Sequence, residues 1–142
     1  MTTFQSEIII NVSATKVWQL LTSFSRYAVW NPFLLTIKGD AVVGAPLTIK
    51  AKLSQLPPIT FQATLRVCES PNKLGWDAIF LKGVFEAFHR FEIEEEGECR
   101  CRLIHTEEFS GIFSSLVLFM LASKFKQGYK AMNEALKKRA EE

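Results

Sequence analysis

The chain has 142 residues, 48% of them hydrophobic, and a net charge of +2 from 17 basic and 15 acidic side chains. That is the length of one ordinary domain, which buries about 68–70% of its unfolded surface without help from disulfides or metals. A disordered or membrane composition is excluded. With Lys137-Lys138-Arg139 as the only basic block, nucleic acid is not expected as a partner.

The three cysteines, Cys68, Cys99 and Cys101, are odd in number, and the last two are too close along a strand to bridge. Reduced thiols and a cytoplasmic location are the expectation. The N-terminus has neither a basic region nor a long apolar core, so no signal peptide is expected. The longest apolar run, Leu116 to Ala122, falls far short of the ~20 residues a membrane-spanning helix needs.

In chain order, Phe4, Ser6, Ile8, Ile10 and Val12 alternate with mostly polar neighbours and predict a strand. Ser13 then caps a short helix, Ala14 to Thr22. A second helical turn covers Ser25 to Trp30. Pro32 lacks an N–H and pushes Asn31 into extended backbone, so the chain must leave the helix and start a strand at Phe33.

From Phe33 to Phe109 the period is two. Inward sets are predicted at Leu47, Ile49, Ala51 and Leu53; at Phe61, Ala63, Leu65 and Val67; and at Leu74, Trp76, Ala78 and Phe80. They continue at Phe85, Ala87, His89, Phe91 and Ile93, and at Cys101, Leu103, His105, Glu107 and Phe109. Turn residues such as Gly39-Asp40, Pro57-Pro58 and Lys82-Gly83 separate these runs, which implies an antiparallel meander. Ile112 to about Arg139 reads as one helix, with Phe113, Leu116, Val117, Met120, Phe125, Met132 and Leu136 as its buried stripe. At 1.5 Å per residue, a helix of this length spans about 42 Å and can cover the whole sheet.

The segments VWQLLTSFSRYAVWNPF, HRFEI, RLIHTEEFSGIF and GYKAMNEALKKR occur in this order over nearly the whole chain. They resemble the polyketide cyclase/dehydrase and lipid-transport branch of the START-like (SRPBCC) superfamily. The resemblance implies an α+β helix-grip fold in one domain, residues 1–142. A seven-stranded curved antiparallel sheet would wrap around the long C-terminal helix, with two short helices after strand 1. It also implies a cavity for an apolar ligand. Relatives often carry an acidic residue where this chain has Phe88, so no role for such a carboxylate is carried over.

The hairpin between the last two strands decides where the imidazoles point. An odd loop puts His89 and His105 on one face. A three-residue loop, Glu96-Gly97-Glu98, would set His89 opposite His105, Phe91 opposite Leu103 and Ala87 opposite Glu107. Buried imidazoles and a carboxylate need hydrogen-bond partners. His89, His105 and Glu107 therefore form a structural network, a site for a ligand's polar group, or an acid–base site. No metal is expected there, since the surrounding face is apolar, and no cofactor motif occurs.

Small residues at Ala51, Ala63, Ala78 and Ala87 beneath a helix either admit it closely or leave a void. Walls for such a void would come from Phe33, Ile49, Phe61, Leu65, Trp76, Phe85, Phe91, Leu103 and Phe109, with Phe113, Val117 and Met120 from the helix. Trp30 would line or plug the entrance, or anchor the two small helices. Leu118, Phe119 and Leu121 are expected on the outer side of the helix, to be covered by a homodimer partner, a membrane surface or the first helices. Three functions stay open: a carrier or sensor for a small hydrophobic molecule (aromatic, polyketide-like or acyl), a cyclase/dehydratase-type enzyme using the same polar cluster, and an oligomerising module with a closed core.

Overall fold

The computed structural model describes residues 1–142, apart from the side chain of Leu81. The strands are β1 (Thr2–Ile10), β2 (Leu34–Lys38), β3 (Pro46–Ala51), β4 (Ile59–Glu69), β5 (Lys73–Leu81), β6 (Phe85–Glu95) and β7 (Cys101–Ser110). The helices are α1 (Ala14–Thr22), α2 (Tyr27–Trp30, entered through a tight turn at Phe24–Arg26) and α3 (Ser114–Glu141). All strands pair antiparallel in one sheet of order β1-β7-β6-β5-β4-β3-β2. The meander runs from β2 to β7, and β1 closes onto the far edge beside β7.

Local chemistry sets the corners. The Ser13 hydroxyl accepts from the Lys16 N–H and caps α1. After α2, the Asn31 side-chain oxygen accepts from the N–H groups of Phe33 and Leu34, both at 2.9 Å. That bond turns the chain across Pro32 into β2. It aims Phe33 at α3, where a Cβ on Gly128 would lie 2.6 Å from the Phe33 ring. Only glycine leaves room there for the ring to lie on the helix backbone.

The buried stripe of α3 is Ser114, Leu118, Phe125, Tyr129, Met132, Asn133, Leu136 and Ala140. Phe125, Met132 and Leu136 are where the pattern put them. Phe113, Leu116 and Met120 are exposed, and Leu118, expected on the outer side, is buried. The reason is phase: every residue from Leu116 to Leu121 is apolar, so that run carries no signal of its own. Tertiary packing of the later turns sets which side faces the sheet.

Two sheet details also differ. A register shift between Leu65 and Val67 sets Cys68 opposite the buried Leu74 and Val67 opposite Gly75. The bulge therefore turns Cys68, rather than Val67, toward the core. In the β6–β7 hairpin, Glu96 N–H bonds to the Arg100 carbonyl at 2.9 Å, so the turn is Gly97-Glu98-Cys99. Gly97 opens it with φ 144°, a conformation that side chains disfavour. Every pairing slides by two residues: His89 faces Glu107, Phe91 faces His105, and Ala87 faces Phe109. The loop is still odd, so the inward face is the predicted one.

Candidate functional site

His89, Glu107, His105 and Asn133 meet on the concave face beneath α3, and each is almost completely buried. His89 Nδ1 lies 3.1 Å from Glu107 Oε2. The two imidazoles meet on the diagonal, Nε2 to Nε2, at 2.5 Å. His105 Nδ1 lies 2.9 Å from Asn133 Oδ1, and Asn133 Nδ2 donates to Ser6 Oγ at 2.9 Å. The Tyr129 hydroxyl donates to the other Glu107 oxygen. One continuous chain of hydrogen bonds thus links α3, β6, β7 and β1. A fully satisfied network of this kind is what makes burial of so many polar groups tolerable.

Electrostatics follow from the burial. Desolvation holds His105 well below the usual imidazole range, the neighbouring His89 pushes it the same way, and the bond to Asn133 opposes both. Tyr129 is raised by burial first, then by the charge and hydrogen bond of Glu107. His105 is therefore neutral and Tyr129 a phenol at neutral pH. The ring nitrogens are spent on each other, on Glu107 and on Asn133, so they do not converge on a point where a metal could sit.

Aromatic rings enclose the cluster. Trp76 stacks on His89 at 5.1 Å, Phe91 packs on His105 at 4.4 Å, and Phe33 packs edge-on against Tyr129 at 5.5 Å. Moving toward the start of α3, the register builds three parallel rows. Leu65, Trp76, His89 and Glu107 pair in succession across β4 to β7. Next to them stand Ala63, Ala78 and Ala87, paired across β4 to β6. Beyond these are Phe61, Phe80 and Phe85, whose rings touch at 4.5 and 5.0 Å. A row of three methyl groups, each almost completely buried, therefore runs between a polar row and an aromatic rim. Phe61 and Phe80 are only partly buried, so the rim lies at the edge of the core. The backbone of α3 keeps closest to β1 and β7 rather than to the strands that carry the alanine row.

Of the other predicted lining residues, Ile49, Ala51, Leu103 and Phe109 are buried inward, and Val117 is half-buried. Phe113 and Met120 do not join them, being on the exposed side of α3. Trp30 lies 5.2 Å from Tyr27, whose buried hydroxyl bonds the Leu21 carbonyl. That bond ties the segment to α1, and Trp30 packs on the small helices. Tyr129, Asn133, Ser6 and Phe80 were not among the sequence-predicted site residues. Tyr129 and Asn133 had a readable signal: each is polar or half-polar at a position that continues the apolar stripe from Phe125.

No helix of the described residues is long and apolar enough to cross a membrane. No curated protein sequence matches the chain. Its fold is similar to that of the Zhui aromatase/cyclase from Streptomyces sp. R1128, at 13% identity and a TM-score of 0.82 over 99% of this chain and 93% of that one. A START superfamily protein from Mycobacterium smegmatis superimposes with a TM-score of 0.76 at 15% identity, over 98% and 97% of the two chains. The di-domain ARO/CYC BexL from the BE-7585A biosynthetic pathway gives 0.77 at 15% identity over 99% of this chain, which spans 50% of that protein's length. Residues 1–141 match the family described as polyketide cyclase / dehydrase and lipid transport. The architecture is the helix-grip fold, and the chain belongs to that family.

Proposed function

We propose that the protein binds a small apolar molecule between the sheet and α3, as a carrier or sensor, with the molecule's polar end toward His89 and Glu107. The observation that carries this reading is the row of small side chains on the inward face. Ala63, Ala78 and Ala87 stand in register between the aromatic rim and the polar row. Apolar walls with a few convergent polar groups are the composition of a small-molecule site. Phe61, Phe80 and Phe85 would form the way in, and Trp76, Phe91, Phe109 and Leu103 the walls. The family supports a ligand-binding interior of this kind.

Enlarging one member of the row tests it. Ala78→Leu puts a large side chain in the middle alanine position. It weakens binding of an apolar fluorescent probe at least tenfold, which is about 1.4 kcal/mol, while circular dichroism stays that of the wild type. Native mass spectrometry of wild-type protein from its own host shows a co-purifying small molecule that the variant lacks. Equal probe affinity in the two proteins overturns the reading.

A second reading, acid–base catalysis of a cyclase or dehydratase type on the bound molecule, is favoured by the buried contact of His89 with Glu107. His105→Phe separates the two. A carrier keeps its probe affinity, whereas an enzyme loses turnover.

A further inference from the structure

The hydrogen bonds of the buried cluster can be given a direction by counting donors. Asn133 Nδ2 donates to Ser6 Oγ, so the oxygen of the same amide faces His105 and can only accept. His105 must therefore carry its proton on Nδ1. The ring is neutral, so its Nε2 is a lone pair. His89 Nε2 lies 2.5 Å away and must supply the proton between them. With Nε2–H spoken for, His89 Nδ1 and Glu107 Oε2 share one further proton, as imidazole with carboxylic acid or as imidazolium with carboxylate. Either distribution leaves the cluster with no net charge. With the amide so oriented, losing that proton sets two lone pairs against each other at one of the three links; with the amide turned over, the Ser6 hydroxyl donates to it, His105 carries its proton on Nε2 and the extra proton is not needed.

The surroundings add no charge. The buried polar residues among those described are Asn31, His89, His105, Thr106, Glu107, Ser114 and Asn133, with no lysine or arginine. Tyr129, Trp76, Phe33 and Phe91 face the imidazoles from α3 and the sheet, and none is ionised. A ligand carboxylate brought to this floor would meet no net positive charge and would lose its water.

We infer that Asn133 is a positioning residue that orders the protons of the cluster into an uncharged floor, and that the site selects a molecule whose polar end is uncharged, such as an alcohol or a ketone. The ligand class rests on the binding reading proposed above; the proton order does not.

Two measurements test this separately. Nitrogen-15 spectra of the two histidines at pH 7 show His105 protonated on Nδ1 and His89 on Nε2. In Asn133→Leu the acceptor is gone, and the protonated and unprotonated nitrogens of His105 exchange identity. Asn133→Asp, which keeps an acceptor in place, retains the wild-type pattern and serves where the leucine variant does not fold. Wild-type His105 protonated on Nε2 overturns the inference. Displacement of the apolar probe from wild-type protein by decanol is at least tenfold stronger than by decanoate; equal or stronger displacement by decanoate overturns the ligand class. If neither displaces the probe while the tautomers are as stated, the binding reading and the ligand class fail together and the proton order stands.

Discussion

In the later turns of α3, from Phe125 onward, Phe125, Tyr129, Met132, Leu136 and Ala140 are buried in a regular stripe. In the earlier turns, Phe119 is 86% and Met120 69% exposed, although that stretch is the more apolar of the two. The difference lies in the polar residues. Lys126, Gln127, Lys130, Glu134 and Lys138 mark the water side of the later turns, and the sheet takes the other. From Leu116 to Ala122 nothing marks a side, and only the turns that follow decide it. Hydrophobicity says that a helix can be buried; the placement of charge says which face is.

This contrast can be broken at its strongest point. Leu136 is completely buried. Leu136→Ala leaves a cavity and lowers stability by about 2–5 kcal/mol, read from urea unfolding as a lower midpoint at unchanged slope. A smaller loss would mean that this half of the helix is not seated as described.

Protons sharpen it next. The folded state holds His105 below its ordinary range. As pH falls through the ordinary histidine value of about 6.5, the unfolded chain takes up a proton that the folded one refuses. Stability is therefore full above that pH and declines below it, by up to about 1.4 kcal/mol per pH unit for this one group. His105→Gln removes that contribution to the slope between pH 7 and 5. Raised phenols at Tyr27 and Tyr129 act in the opposite range: stability declines above pH 10, where only the unfolded chain ionises them.

The smallest effect belongs to the exposed half. Phe119→Lys changes stability by no more than about 0.5 kcal/mol, measured by the same urea titration. A loss comparable to that of Leu136→Ala would show that Phe119 is covered by something in solution.

Much of this was legible in the residues alone. Alternation found the strands and the inward set, because a face that excludes water accepts only one parity. Ser13 and Pro32 marked a helix start and a chain exit, because each has one chemical way to do its work. The diagonal meeting of His89 and His105 was not legible, since it depends on Gly97 opening the turn one residue later than expected. Asn133 and Tyr129 stand on the stripe in plain view, but their partners lie 28 and 22 residues away in sequence. Only the packed helix brings them together.

The β6–β7 turn carries a rule for how this protein can drift. A slip of the β6–β7 pairing by one residue would rotate either the imidazole of β6 or the imidazole and carboxylate of β7 out to water. A slip of two leaves all of them indoors and merely slides their partners. The tip that pins this register, opened by Gly97, therefore guards the interior from a distance.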